Sequence, residues 1–374
     1  MNDLVRYRLL PFLVVFAVCT ASSAIADSWE ATICAADNAQ KAHQLEEAQK
    51  LYEEALKQAE SFGEGDPRLF LSIKGLADLH RDRKDQDKAQ QLYLRYLRMA
   101  DHLDVALQKG LDRLSIMLDI ATISRDKGRM TEAIGYYKKA LPLAKQQLGE
   151  HSEQVATIYA LIGYCCYFAK QRDEGIEAVK QALKIHLRKQ PNSLEVARDL
   201  AQLAGLYGDK HDFARADALG RQALAIRLKL CKPGDILIVR SIEGLAINKG
   251  NEHRNDEAIA LFNQGYHMAE RAFGRDSLSM GTYMLELACA YQDKGDYGKA
   301  IPLFEKTLAI EKKLLSRADA SIARPVAGLA TCYLKSGNPA AARRVCQDYL
   351  KFVAGEKVSE EALFKIKNIL DKCH

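Results

Sequence analysis

Nine histidines and nine cysteines are the residues of this chain best equipped for metal, redox or nucleophilic chemistry, and their arrangement supports none of it. No His-Glu-x-x-His and no Cys-x-x-Cys pair occurs, and those spacings are what turn two ligands toward one ion. His211 and His253 fall at the same turn position of a repeating pattern, which leaves two readings: metal ligands, or solvated turn residues. Two imidazoles without a third ligand make a poor site, so the turn reading is preferred. Gly63-Glu64-Gly65 follows a helical stretch and lacks the strand that would aim a phosphate loop; it reads as a helix stop. No convergent acid, base and nucleophile can be named. The expectation is therefore a chain without enzymatic activity, cofactor or metal.

The cysteines could instead cross-link. Cys165, Cys289 and Cys332 lie among apolar helix positions, where a thiol behaves as a small hydrophobe. Cys165 and Cys166 are adjacent on one helix and point apart. Cys332 and Cys346 fall on two successive helices and are the pair that could meet, although disulfide geometry is demanding.

The elements that hold these residues repeat. An alanine-like ruler residue recurs at Ala48, Ala89, Ala133, Gly175, Ala216, Ala258, Ala300 and Ala342, at spacings of 41, 44, 42, 41, 42, 42 and 42. Twelve residues before each stands Ala36, Ala77, Ala121, Gly163, Ala204, Ala246, Ala288 or Ala330. Positions confined to Gly or Ala mark close backbone approach, so helix must meet helix there. Apolar residues at three- and four-residue offsets, with turns such as Asp126-Lys127-Gly128, Asp293-Lys294-Gly295 and Lys335-Ser336-Gly337, make each unit a helical hairpin. Hydrophobic residues at 48% supply a continuous core, and the net charge of +5, spread without a basic block, argues against a nucleic-acid surface.

The pattern resembles the tetratricopeptide repeat, and its length is similar to the 42-residue variety of kinesin light chains. Stretches such as Val196-Ala197-Arg198-Asp199-Leu200-Ala201-Gln202-Leu203-Ala204-Gly205-Leu206-Tyr207 carry the likeness. It implies an all-α fold, a right-handed superhelical solenoid of about eight hairpins whose first helices line a concave groove for peptides or protein surfaces. Units one, two and six depart from the pattern, with Ala39, His80 and Lys249 where later units carry tyrosine. Ser359 to Leu370 reads as an amphipathic C-terminal capping helix, with Ser359 as its cap.

Carried onto this chain, the family's groove positions place Arg198, Arg240 and Arg324 in one row, interrupted by Thr282, and Tyr164, Tyr167 and Phe168 in a cluster. Arginine offers paired donors to carboxylates, which implies an acidic protein or peptide partner; the arginines could equally pair with Asp199, Glu195 and Glu243 nearby. The paired asparagines by which kinesin light chains usually hold a peptide backbone are missing from the corresponding places. Two functional readings remain: an interaction scaffold, or a regulatory or sensory subunit whose superhelix changes shape on binding a peptide or small ligand.

The amino terminus has a secretory pattern, Arg6 and Arg8 followed by the apolar run Leu9 to Val18 and small residues to Ala26. An uncleaved anchor is the alternative, since Leu9 to Ala26 has 18 uncharged residues. Val18 before Cys19 speaks against a lipid anchor. The organisation expected is a signal peptide at 1–26, the repeat solenoid at 27–356 and the capping helix at 357–374, in an exported, periplasmic or secreted protein without stable membrane insertion after signal removal. N-terminal sequencing of the native protein should find Asp27, or a residue within about two of it, as the first residue. A membrane-bound product that keeps Arg6 and Arg8 would mean an anchor.

Overall fold

The computed structural model describes residues 23–103, 108 and 110–373. These residues form seventeen α-helices and one short 3-10 turn, without a strand among them, in two compact units that divide between Lys127 and Gly128. The first unit contains α1 (Ser23–Lys41), α2 (Leu45–Glu60), α3 (Pro67–Asp82), α4 (Gln86–Asp101) and α5 (Arg113–Asp126). The second begins with α6 (Met130–Leu148) and continues through α7 (Glu153–Phe168), α8 (Arg172–Lys189), α9 (Leu194–Asp209), α10 (Phe213–Leu230), α11 (Ile236–Asn251) and α12 (Asn255–Phe273). It ends with α13 (Leu278–Lys294), α14 (Tyr297–Leu314), α15 (Ala323–Lys335), α16 (Pro339–Phe352) and α17 (Glu360–Asp371). Helix α1 starts ahead of the expected cleavage point at Ala26, while Arg6, Arg8 and the run Leu9 to Val18 lie outside the described residues.

Local chemistry fixes where the helices begin and turn. Ser152, Ser193, Asp235 and Ser277 each precede a first helix and accept a hydrogen bond from a backbone N–H two or three residues on, satisfying a donor that the helix cannot. Between the two helices of a unit, the chain passes through a left-handed residue at His43, Lys84, Gly128, Lys170, His211, His253, Gly295 or Gly337. Each stands five residues before a ruler residue. His211 and His253, with φ of 61° and 59°, are therefore turn residues held by the backbone. Gly63, at φ 102°, follows the end of α2 as the helix stop does.

Both small-residue columns are buried, and the space at them is tight. A methyl group on Gly163 would lie 2.1 Å from Val179 Cγ2 and 3.4 Å from the Gly175 carbonyl oxygen, so α7 crosses α8 almost backbone to backbone. Four residues after the ruler a second column appears, and here bulk fills the layer between hairpins: Tyr52, Tyr93, Phe262 and Phe304 are all essentially inaccessible. The Tyr52 ring lies against Gly75 and the Phe304 ring against Gly328, where an added Cβ would come within 2.5 Å of either ring. At the chain's end, Ile366 and Ala362 of α17 are buried with Tyr349, Cys346 and Ala330, and Ser359 accepts a hydrogen bond from Ala362 N, so α17 covers the last hairpin. The described cysteines are free thiols; Cys332 and Cys346 belong to different buried clusters.

Charge is buried at several hairpin contacts. His186 on α8 and Asp199 on α9 meet at 2.5 Å between Nδ1 and a carboxylate oxygen, both almost wholly buried. Lys249, standing where other units carry tyrosine, places its ammonium between Asp217 and Glu252 at 3.0 and 3.2 Å. Glu311 on α14 is 6% exposed and has one carboxylate oxygen without a hydrogen-bond partner. Burial, helped by Asp319 and opposed by Arg324, pushes its carboxyl up to about 7.

Ala288→Leu should overpack the α13–α14 crossing and cost about 1–3 kcal/mol in thermal unfolding. Gly244→Ala, whose methyl group meets open space, should stabilise α11 by about 0.5–1 kcal/mol. Because the folded chain holds Glu311 in its protonated form, that contribution to stability is complete below the ordinary value of 4.5 and is lost as pH rises through about 7. Glu311→Gln should therefore flatten the decline in Tm across this interval and raise Tm at alkaline pH relative to the parent; an unchanged decline would show that another group causes it.

Candidate partner-binding site

Four first helices of the second unit, α7, α9, α11 and α15, bring the expected site residues into different surroundings. Tyr167 and Arg240 line one cleft of about 180 Å³, with Gly205 and Gly208 on α9, Gly220 on α10, and Gly244, Asn248 and Asn251 on α11. Tyr167 is 41% exposed and packs edge-on against Phe168 at a centroid distance of 5.2 Å. Phe168 also lies 4.9 Å from Tyr164, so the aromatic cluster is a continuous surface at the end of α7.

The cleft has a definite origin in the column that follows the ruler. Where Tyr52 or Phe304 fills the space in front of a glycine in other units, position 220 is itself glycine and faces the hairpin that carries Gly244. Leu245 closes part of the gap, since a Cβ on Gly220 would lie 2.8 Å from its Cδ2. Beside Gly244, however, no atom lies within 4 Å of where a Cβ would be. Glycine on both sides of one layer leaves a recess that the chain does not fill.

The arginine row turns out to be matched by carboxylates from its own helices and neighbours. Arg240 donates to Glu243 at 2.8 Å, lies over the Phe273 ring at 4.6 Å and reaches Ser279 at 3.4 Å. Arg324 forms a two-point contact with Glu286, at 2.6 and 3.0 Å, from the adjacent first helix α13. Arg198 is turned toward the buried Asp199, with Nε 3.6 Å from its carboxylate. Glu195 takes no part among the described ion pairs. Burial raises the Glu243 carboxyl above its ordinary range, while Arg240 opposes the rise and Glu286 adds to it. The Tyr167 hydroxyl is likewise pushed up by burial and by the carboxylates of Asp209 and Glu286, against the influence of Arg172.

Tyr167 and Arg240 thus share a site, Tyr164 and Phe168 extend it, and Arg198 and Arg324 lie outside the cleft lining. Gly220, Gly244, Asn251 and Glu286 were not among the residues the sequence singled out. Gly220 is detectable by comparison down the column that begins Tyr52, Tyr93, Tyr137, and Gly244 down the one that holds Gly75 and Gly328, whereas the Arg324–Glu286 contact spans 38 residues and has no local signature. Among the described residues no group of three or more His, Cys, Asp or Glu side chains is placed to hold a metal ion, and no helix is long and apolar enough to cross a membrane.

The structure is similar to that of a tetratricopeptide repeat protein from Parabacteroides merdae, at 12% identity and a TM-score of 0.56 over 82% of this chain and 99% of the other. A Rap protein complexed with Competence and Sporulation Factor matches at 15% identity and a TM-score of 0.54, covering 93% of this chain and all of the Rap chain. Kinesin light chain repeats of Podosopora anserina match at 21% identity and a TM-score of 0.45, covering 55% of this chain and 98% of theirs. No curated relative matches in sequence. Family models described as the tetratricopeptide repeat match residues 29–102, 112–188 and 238–313, and a second one matches residues 291–358. With these models covering most of its length on a fold of stacked helical hairpins, the chain belongs to the tetratricopeptide repeat family.

Proposed function

We propose that this chain is an exported, non-catalytic interaction scaffold, periplasmic or secreted, that holds a segment of a partner protein on the first-helix face of its second unit. The supporting observation is the recess between Gly220 and Gly244. Its volume of about 180 Å³ is comparable to cavities of about 150 Å³ that accept a benzene ring, so it suits one aromatic or branched side chain of the partner. Tyr167 and Phe168 present apolar rings beside it, and Asn248 and Asn251 carry amides able to bond a peptide backbone. An acidic group next to the anchoring side chain would exchange with Glu243 for the Arg240 guanidinium, leaving the number of ion pairs unchanged. Such an exchange gives selectivity more than affinity, because one carboxylate replaces another.

The test uses partners captured from extracytoplasmic extracts by the full-length protein. Gly244→Phe should fill the recess and reduce capture of a specific partner by about tenfold or more while leaving the helical circular dichroism unchanged. Arg240→Gln should weaken an acidic partner and lower the salt dependence of its binding. Capture unaffected by Gly244→Phe would remove the site. Solution scattering with and without the partner separates a rigid scaffold, whose dimensions stay constant, from a regulatory subunit that changes shape.

A further inference from the structure

The hairpins of the second unit have two ends that differ chemically. At one end, inside each hairpin, the turns carry charges that neutralise one another: Arg172 with Asp209, Lys210 with Asp173, Arg254 with Glu257 and Lys294 with Asp256. At the other end, where a second helix stops and the next first helix starts, exposed apolar side chains stand beside Arg188, Lys189, Lys229, Lys232 and Lys313, with Glu195, Asp235 and Asp276 as acidic neighbours. Of eleven exposed large hydrophobic side chains among the described residues, seven lie there: Leu187, Leu194, Leu228, Leu230, Ile236, Leu278 and Leu314. Leu194, Ile236 and Leu278 occupy the first position of three successive first helices, 42 residues apart, so their exposure repeats with the fold.

Two neighbouring turns are the densest part. Leu228, Leu230 and Ile236 are 59%, 49% and 46% exposed around Lys229 and Lys232, and in the preceding turn Leu187 and Leu194 flank Arg188 and Lys189. Lys189 has a distant partner in Glu153 at 3.8 Å, whereas Lys229, Lys232 and Lys313 make no salt bridge to a described residue. The leucines project from helix ends instead of walling a groove, and a long aliphatic-stemmed cation stands beside each group.

We infer that this end of the second unit is a docking surface for an anionic lipid boundary, into which Leu228, Leu230 and Ile236 insert while Lys229 and Lys232 reach the phosphates. Isolated leucines projecting beside lysines suit an interface that is apolar below and negatively charged above. An acidic protein helix would instead ask for a continuous apolar seat. The surface is separate from the Gly220–Gly244 recess, so either can fail without the other.

Co-sedimentation of the full chain with phosphatidylglycerol-containing vesicles, compared with pure phosphatidylcholine vesicles, tests the assignment. The parent protein should sediment with the anionic vesicles and be released by high salt. Two variants, L228S/L230S/I236S and K229E/K232E, should each lose binding by about tenfold or more. Both keep the amino-terminal apolar run, so its contribution is common to all three proteins, and circular dichroism checks that the exposed substitutions leave the helices intact. Binding equal in parent and variants, equal on both kinds of vesicle, or absent from anionic vesicles would overturn the proposal. So would self-association of the parent without lipid that the leucine substitutions abolish, since that edge would then be a contact between copies.

Discussion

Where Gly163 of α7 passes Gly175 of α8, two helices approach so closely that even a methyl group would strike Val179. That closeness is the constraint on which the rest depends. It sets the distance between the two helices of a hairpin, and the buried alanines at the equivalent positions of other units repeat it. With the crossing fixed by what is too small to vary, the larger side chains need only fill the layer between one hairpin and the next. Tyrosine, phenylalanine, valine and cysteine exchange there, provided the opposite helix makes room, as Gly75 does for Tyr52 and Gly328 for Phe304.

The same economy explains why a recess arises in the middle of the second unit. A layer filled from one side tolerates glycine on the other, but α10 and α11 both present glycine, and only Leu245 leans into the gap. The surrounding charges follow from burial. Glu243, Arg240, Glu286 and Arg324 sit on first helices whose outer faces are partly covered by their neighbours, and an uncompensated charge there would cost more than the pairing itself contributes. The arginines are therefore held in defined positions by carboxylates before any partner arrives.

Much of this was legible in the sequence because it is periodic. The ruler residues, the small column before them, the cap at Ser359 and the turn placement of His211 and His253 all depend on local geometry that recurs every 42 residues or so. Side-chain pairing was not legible in the same way. That Arg324 meets Glu286, or His186 meets Asp199, depends on rotamers and on which helix faces which, and a column position gives direction without naming the neighbour. The recess lay between these cases: each glycine was visible, but their juxtaposition required knowing that the column after one ruler residue faces the helix of the next unit. Lys249 shows the reverse, a departure seen in the sequence whose reason, an ammonium between Asp217 and Glu252, only packing supplies.

The left-handed residue in the turn of each unit has a bearing on how such a chain can change length. From His211 to His253 is one complete period, and both residues have nearly the same backbone angle, follow the end of a first helix and precede a second helix. A deletion or duplication with its ends at these two points would join backbone already in the required conformation, and the new neighbours would meet through the same small-residue columns. Lengthening by whole periods would thus preserve the phase of the hairpins, whereas an insertion of any other size must be absorbed in a loop. The chain is in this sense quantised: its register tolerates additions of a full unit and resists fractions of one.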